Sequence, residues 1–338
     1  MLRHLIIIIT ILSLSSCIHA QSVQGVVTDL VSGDPLEGVS VYFDDTTVGT
    51  VTGPKGRFKL SYNKNLTTPL VISYIGYQTI TFSQVNDRQF LRIEMEEKIV
   101  PLSEVILSPN DWTRDVKLNQ FKTHYLGNTD NGKSCTILNE DDLVLTYLEK
   151  DKKLVAFCKD PLIIVNDRLK YQITVRLHKF ELIYGSANPD KNKFNVKNVS
   201  YAGHSFYSTL ERLTTPETQR RRMETYQGSK MHFLRAVVNN KVSKEGFRLF
   251  RRDSKLKLSP RRVIGVRKEN GVNAIKISDI LVIQYKNLPH SKISTYSNEI
   301  YVDDFGNYYP VDQMYFEGHM GAQRMGDTLP HDFLLDDI

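Results

Sequence analysis

Three titratable side chains, His204, Glu224 and His232, have the residue types that general acid and base catalysis uses. If the fold brought the two histidines together with Glu224 or Glu211, they would form a weak candidate site for hydrolysis. His232, however, occurs at helical core spacing, where a histidine is more often a cap or a half-buried packing residue. The sequence therefore favours no catalytic residue and keeps this set as an alternative.

A second pair, His178 and Glu181, has the His-x-x-Glu spacing found in some zinc sites. The surrounding segment alternates apolar and polar residues as a strand does, and residues three apart on a strand point to opposite faces. These two side chains are therefore not expected to chelate one ion. The sequence also lacks a His-Glu-x-x-His motif, a Gly-x-Ser-x-Gly elbow and a glycine-rich phosphate loop. We expect no metal and no cofactor.

Two groups of arginines are candidates for binding an anion. The formal net charge is +6 at pH 7, and arginines cluster at Arg220, Arg221 and Arg222 and again at Arg261 and Arg262. Such clusters attract acidic polymers, although most are simply solvated surfaces, and both interpretations stay open. The partner indicated is an envelope protein or an anionic envelope polymer. Nucleic acid is not expected, because the chain begins with an export signal.

Residues 1–20 have the order of a secretory signal peptide, with a basic start, an apolar run and then small residues. Cleavage after Ala20 is favoured over lipidation at Cys17, because the first strand begins at about Val23 and leaves little room for a tether. No later apolar run is long enough to span a bilayer. The protein is therefore expected in the periplasm or at the outer membrane, with a lipid anchor on Cys17 as the alternative.

Two further cysteines, Cys135 and Cys158, lie beyond the signal. An oxidising compartment permits them to pair, but the sequence does not give their separation. A disulfide and two free thiols are therefore both open.

The segment from Val23 to Met95 alternates apolar and polar residues between turn sequences, as small antiparallel β-sandwiches do. Glycine and proline in these turns supply the φ values that tight turns need. The pattern predicts six strands, at residues 23–28, 38–44, 57–62, 70–74, 79–82 and 90–95.

The glycine, proline and aromatic positions of this segment resemble those of the carboxypeptidase-regulatory-like family. They are Gly25, Asp29, Gly33, Pro35, Leu36, Gly38, Val39, Gly49, Thr50, Gly56, Phe58 and residues 73–77, Ser-Tyr-Ile-Gly-Tyr. The resemblance implies a transthyretin-like (prealbumin-like) seven-strand sandwich over residues 21–97. In the zinc carboxypeptidases this accessory module is not the catalytic part. The turn from Thr52 to Lys55 lacks the acidic residue of many members, so no role of that acid is carried over.

Residues 98–112 predict a linker strand, in which Pro101 to Leu107 resembles the segment that precedes the plug of TonB-dependent transporters. A transporter is not expected, because the remaining chain is too short for a plug and a large barrel.

The pattern of residues 113–338 predicts a β-rich α+β domain of unknown function. This region is similar to those that accompany the carboxypeptidase-regulatory-like module in other envelope proteins. The patterns indicate a helix capped near Asp111, a long exposed-edge strand at 171–184, and a helical pair at 216–226 and 229–242. The expected fold class is therefore mainly β.

Three functional classes follow from these observations. A non-catalytic envelope binding or scaffold protein that uses the sandwich for docking is the leading hypothesis. A periplasmic hydrolase with its site in the C-terminal domain and a structural subunit of an envelope assembly are the alternatives. The sequence does not determine the ligand or the oligomeric state.

Overall fold

The computed structural model describes residues 20–63, 66–98, 112–211, 214–252, 256–269, 272–278 and 280–334. Residues 1–19 of the predicted signal peptide, with Cys17, and all but the two ends of the predicted linker strand lie outside these residues, whereas Ala20 is described. Within the described part of the chain, no helix is long and apolar enough to cross a membrane.

The N-terminal part, residues 20–98, is a seven-strand sandwich and is called the sandwich below. Its strands are β1 (Ala20–Asp29), β2 (Ser40–Phe43), β3 (Gly49–Val51), β4 (Arg57–Asn63), β5 (Leu70–Ser73), β6 (Ile80–Phe82) and β7 (Phe90–Met95). They pair in two sheets, with the orders β4-β1-β7 and β3-β2-β5-β6. This confirms the predicted sandwich. The alternation did not indicate β3, because a three-residue edge strand is too short to show a period.

The C-terminal region, residues 112–334, begins with two helices and a six-stranded sheet. The helices are α1 (Arg114–Tyr125) and α2 (Asp130–Lys133). The strands are β8 (Cys135–Ile137), β9 (Leu143–Leu148), β10 (Lys153–Cys158), β11 (Leu162–Asn166), β12 (Tyr171–Asn188) and β13 (Lys193–Thr209). Thr113 caps α1, since its hydroxyl accepts from the amide of Val116 at 3.3 Å. The predicted cap, Asp111, lies outside the described residues.

The prediction of an exposed-edge strand at residues 171–184 is wrong. These residues begin β12, which pairs with β10 and β11 on one side and with β13 on the other. The sequence did not indicate β13, because a register shift at Lys197 interrupts its apolar and polar alternation and most of its side chains are exposed or half-buried. The missing partner made a central strand look like an edge.

The remaining chain contains the helical pair and two further sheets. The helices are α3 (Pro216–Tyr226), α4 (Lys230–Val238), α5 (Pro260–Val263) and α6 (Gly318–Ala322). The strands are β14 (Phe247–Arg251), β15 (Lys257–Leu258), β16 (Ile264–Glu269), β17 (Val272–Ile277), β18 (Leu281–Tyr285), β19 (Ser291–Thr295), β20 (Ile300–Val302), β21 (Tyr308–Tyr309) and β22 (Met314–Glu317). The sheet orders are β15-β14-β18-β19-β22 and β16-β17-β20-β21.

The second helix of the pair ends four residues earlier than predicted. Asn239 is its C-cap, and Asn240 has a φ of 54°, which does not continue a right-handed helix. Val242 is nevertheless buried, so its apolar side chain indicated a core position but not the end of the helix.

The buried apolar residues form three clusters, one in the sandwich and two in the C-terminal region. Phe305 belongs to the cluster of the sandwich although it lies in the turn between β20 and β21, and it is 2% exposed. Beside it, the hydroxyl of Thr67 donates to Asp303 Oδ2 at 2.5 Å. The C-terminal region thus contributes a side chain to the core of the sandwich.

Candidate functional site

The turn after β2 joins the sandwich to β13. His204 Nδ1 lies 2.6 Å from Asp44 Oδ2, and the amide of Ser205 donates to Asp44 Oδ1 at 2.9 Å. The hydroxyl of Ser205 donates to Asp45 Oδ1, and the amide of Asp45 donates to the carbonyl of Ser205 at 2.7 Å. Two adjacent acidic residues of the sandwich are therefore engaged by two adjacent residues of one strand.

Residues 325–334, called the tail below, tie this turn to the helical pair. The amide of His331 donates to the carbonyl of Asp45 at 2.6 Å, and Asp332 accepts from the amide of Thr47 at 2.9 Å. Buried Arg235 of α4 donates to the carbonyls of His331, Phe333 and Phe305 at 2.9, 2.8 and 2.8 Å. One guanidinium therefore holds the tail and the Phe305 turn together.

A cavity of about 470 Å³ lies where the turn, β13, the helical pair and the tail meet, and it is called the junction cavity below. Its volume is within the range of about 300–1,000 Å³ that is typical of ligand pockets. Its titratable lining residues come from six separate segments: the turn after β2, α1, β13, α4, β21 and the tail. They are Asp44, Asp45, Tyr125, Tyr201, Tyr207, Lys230, Tyr308, Asp327 and His331.

Lys230 and Asp327 are the two charged groups of this cavity with the most unusual surroundings. Burial lowers the pKa of the Lys230 amine to about 8, and its ammonium has no hydrogen bond or ion pair among the described residues. Burial also raises the pKa of Asp327. Asp327 Oδ1 accepts from Thr129 and Asn131 at 2.8 and 3.2 Å, whereas buried Oδ2 has no partner. The cavity therefore contains an unpaired donor and an unpaired acceptor.

Asp45 and His331 are two more titratable groups of the cavity with unusual surroundings. Burial raises the pKa of Asp45, against the effect of the nearby charge of His331. His331 Nδ1 is buried and has no hydrogen-bond partner in the described residues. Groups with perturbed protonation that converge in a cavity are typical of functional sites.

Local sequence explains how Lys230 and Asp327 reach the cavity. Ser229 caps α4 by accepting from the amide of His232 at 3.1 Å, so Lys230 is the first residue of that helix. Asp327 ends the 3-10 turn Met325–Asp327, which packs on α2. A Cβ on Gly326 would lie 2.5 Å from Gly132 Cα, so this close approach requires glycine.

The structure does not bring His204, Glu224 and His232 together. His204 is engaged by Asp44, whereas Glu224 is an exposed residue of α3 that pairs with Arg220 at 2.5 Å. His232 is buried, and its Nδ1 accepts from the amide of Gly228 at 3.1 Å. Burial lowers the pKa of His232. Each predicted catalytic side chain therefore has its own separate structural setting.

The predicted anion cluster on α3 also needs correction. Arg220 and Arg221 pair with Glu217 at 2.9 and 2.8 Å, so a neighbouring acid offsets their charge. Arg222 is buried, with its guanidinium 3.8 Å from the ring of Tyr171. A run of three arginines on a helix necessarily points in different directions, and only part of it faces solvent.

Arg261 and Arg262 lie on the short helix α5 and are exposed. Arg261 Nε donates to Asn240 Oδ1 at 3.3 Å. This pair of arginines remains accessible to an external anion.

His178 and Glu181 lie on β12, where Glu181 pairs with Lys153 and Lys179, both at 3.0 Å. His178 contacts the ring of His204. In the described part of the chain, no group of three His, Cys, Asp or Glu side chains is placed to hold a metal ion.

Cys135 and Cys158 are both free thiols. Burial raises the pKa of Cys135 to about 12 and also raises the pKa of Cys158. The open question of their pairing is thus answered in favour of two unreactive thiols.

Comparison with known proteins assigns the first domain. Residues 23–107 match the family model of the CarboxypepD_reg-like domain, which confirms the carboxypeptidase-regulatory-like resemblance of the sandwich. The match extends beyond the predicted boundary at Glu97. This match suggests that residues 23–107 form a non-catalytic β-sandwich module.

No curated protein sequence matches the chain. One similar solved structure is a protein of unknown function from Bacteroides fragilis NCTC 9343, described as membrane-associated. It is 10% identical, and the alignment covers 88% of this chain and 94% of that one with a TM-score of 0.19. A similarity this low supports no argument about fold or function.

Proposed function

We propose that the protein is a non-catalytic binding protein of the cell envelope, in which the sandwich closes a ligand cavity on the C-terminal region. The junction cavity is the observation that carries this proposal. Its wall includes Asp327 Oδ2, which is buried without a partner among the described residues, and such a group is costly. It also includes half-buried Lys230, whose ammonium has no hydrogen bond or ion pair among those residues. A small polar ligand with both acceptor and donor atoms would satisfy them.

The envelope location is part of the proposal and is supported by the signal-like order of residues 1–20. The exposed Arg261 and Arg262 support contact with an anionic envelope polymer. In this reading, residues 21–97 and 113–338 are two units, and docking by the sandwich is at least partly intramolecular, through Asp44 and Asp45.

Native mass spectrometry of protein purified from its own envelope tests the cavity. We expect a small molecule on the wild type, its loss in Lys230→Met, and its retention in Lys241→Met, a matched variant of an exposed lysine just beyond α4. A wild type that carries no small molecule, or a Lys230→Met variant that retains it, would contradict the proposal.

Cell fractionation with intact mass measurement tests the location. A chain that begins at Gln21, or one with a lipid on Cys17, is the expected result. A full-length, unprocessed chain in the cytoplasmic fraction would contradict it.

Acid and base catalysis, for example by a hydrolase, is the second candidate function. It is favoured by Lys230, because a lysine with a pKa of about 8 exchanges a proton near neutral pH. The same purification separates the two candidates, since an enzyme turns the molecule over when it is incubated with fresh protein, and a binding protein returns it unchanged.

A further inference from the structure

A second cavity of about 430 Å³ lies on the opposite face of the β12–β13 hairpin. Successive strand residues point to opposite faces, so Val175, Ser205 and Tyr207 line the junction cavity whereas Arg176 and Phe206 line this one. The sandwich supplies the other wall. We call it the Arg176 cavity.

Arg176 is 9% exposed and points into this cavity. Its Nε donates to Ser73 Oγ at 3.0 Å, whereas its Nη2 is buried and has no hydrogen-bond partner in the described part of the chain. The charge of Asp160 acts on Arg176, but the described residues place no carboxylate within ion-pair distance of it. An arginine stays protonated in proteins, so this is a buried positive charge without an ion-pair partner among these residues.

Two other buried arginines show what a structural guanidinium looks like in this protein. Arg222 donates to the main-chain carbonyls of Leu169 and Lys170 at 2.9 and 3.2 Å and stacks on a tyrosine ring. Arg235 donates to three main-chain carbonyls. Arg176 has a single neutral hydroxyl acceptor. The hydrogen bonding of Arg176 within the fold therefore offsets little of the free energy that its burial costs.

The rest of the cavity limits the charge and shape of a ligand. Asp142 and Asp160 are among its lining residues, and buried Asp160 Oδ1 has no hydrogen-bond partner among the described residues. One guanidinium and two carboxylates make this wall net negative, which disfavours a dianion such as phosphate more strongly than a monoanion. A single carboxylate can still form two parallel hydrogen bonds with the planar guanidinium. The unpaired Asp160 oxygen fits an N–H or O–H donor of the same ligand.

The remaining wall is apolar or aromatic. It includes Tyr42, Phe206 and Ile75, of which Ile75 is 65% exposed. The rings of Tyr42 and Phe206 lie 5.2 Å apart and bring a strand of the sandwich against β13. This surface would cover the hydrocarbon part of a bound molecule.

We propose that the Arg176 cavity binds a small organic carboxylate with an apolar body and an N–H or O–H donor, with its carboxylate on Arg176. This site is separate from the junction cavity and does not depend on the ligand there. The carboxylate supplies the counter-charge of Arg176, the donor pairs with Asp160, and the apolar body packs on Ile75 and Phe206.

Calorimetric titration of the full-length protein with N-acetylphenylalanine tests the proposal. We expect binding to the wild type and to Arg57→Met, which removes an exposed arginine of the sandwich. Arg176→Met should weaken binding at least tenfold, and Arg176→Lys should weaken it several-fold because the planar fork is lost. N-acetylphenylalaninamide, which lacks the charge, should bind at least tenfold more weakly, and inorganic phosphate should not compete.

Thermal unfolding without ligand provides an independent test. Arg176→Met should keep or raise the wild-type unfolding temperature, because it removes a buried unpaired charge, whereas Arg222→Met should lower it by several degrees. A lower temperature for Arg176→Met, equal affinity of that variant for the acid, equal affinity of the wild type for the amide, or no binding of the acid would each overturn the proposal.

Discussion

Removal of the Phe305 ring should separate the stability of the sandwich from that of the C-terminal region. Phe305 is 2% exposed and packs in the core of the sandwich, but its backbone belongs to the turn between β20 and β21. Truncation of a buried phenylalanine to alanine costs about 3–5 kcal/mol. With an m-value of about 4 kcal/mol/M in guanidinium chloride, the unfolding midpoint of the sandwich should fall by about 1 M.

Two optical probes can follow the two parts of the chain. Trp112 is the only tryptophan, is 6% exposed, and stacks on Tyr147 at 4.2 Å in a core of the C-terminal region. In Phe305→Ala we therefore expect a first transition, seen by far-UV circular dichroism, that precedes the change in Trp112 fluorescence. Tyr309→Ala is the matched control, because Tyr309 lies in the same hairpin and is 69% exposed.

An unfolding midpoint that Phe305→Ala lowers no further than Tyr309→Ala does would refute this prediction. Phe305 would then contribute nothing to the core of the sandwich. A first transition that is present in both variants would also refute it, since the split would not come from the ring.

Two other predictions concern protonation. Burial lowers the pKa of His204, but the hydrogen bond and charge of Asp44 outweigh this effect and raise it above the usual 6.5. A group whose pKa is raised on folding contributes its full stabilisation below its unfolded-state pKa. This contribution is lost as the pH rises through its folded-state pKa. The unfolding temperature of the wild type should thus exceed that of His204→Gln most at pH 5.5 and less at pH 8.5, and a difference that grows with pH would contradict this. Burial raises the pKa of Cys135 to about 12, so Cys135 and Cys158 should react with Ellman's reagent slowly when folded and fast in denaturant. Fast reaction of the folded protein, or an intact mass lower by two hydrogens, would show that this description of the thiols is wrong.

Sequence patterns predicted the strands and helices that neighbouring residues along the chain determine. The sandwich strands alternate, and the helical pair begins at Thr215 and Ser229, whose hydroxyls cap the two helices. Strand β13 could not be predicted in this way, because it pairs with β12 through its backbone and nearly all of its side chains are exposed or only half-buried. Its absence from the prediction also made β12 appear to be an edge.

The site residues were less predictable than the elements. Asp45, Lys230 and the tail residues Asp327 and His331 lie in three distant parts of the sequence and converge only through the docking of the sandwich and the return of the tail. The adjacent acids of the Asp44 turn were the one local signal, and acidic residues are common in any turn. Arg222 shows the opposite error, because a charge run does not reveal which member will be buried.

The tail has a consequence for the order in which the chain is made. A ribosome or an export channel delivers the sandwich first. The hydrogen bonds of Thr47 with Asp332 and of Asp45 with His331 can form only after more than 280 further residues have followed. Until residues 331 and 332 emerge, the acidic turn and the tail side of the junction cavity stay open to other chains. The sandwich is therefore a natural client for chaperones during biogenesis, and a nascent chain stalled before the tail should bind them longest.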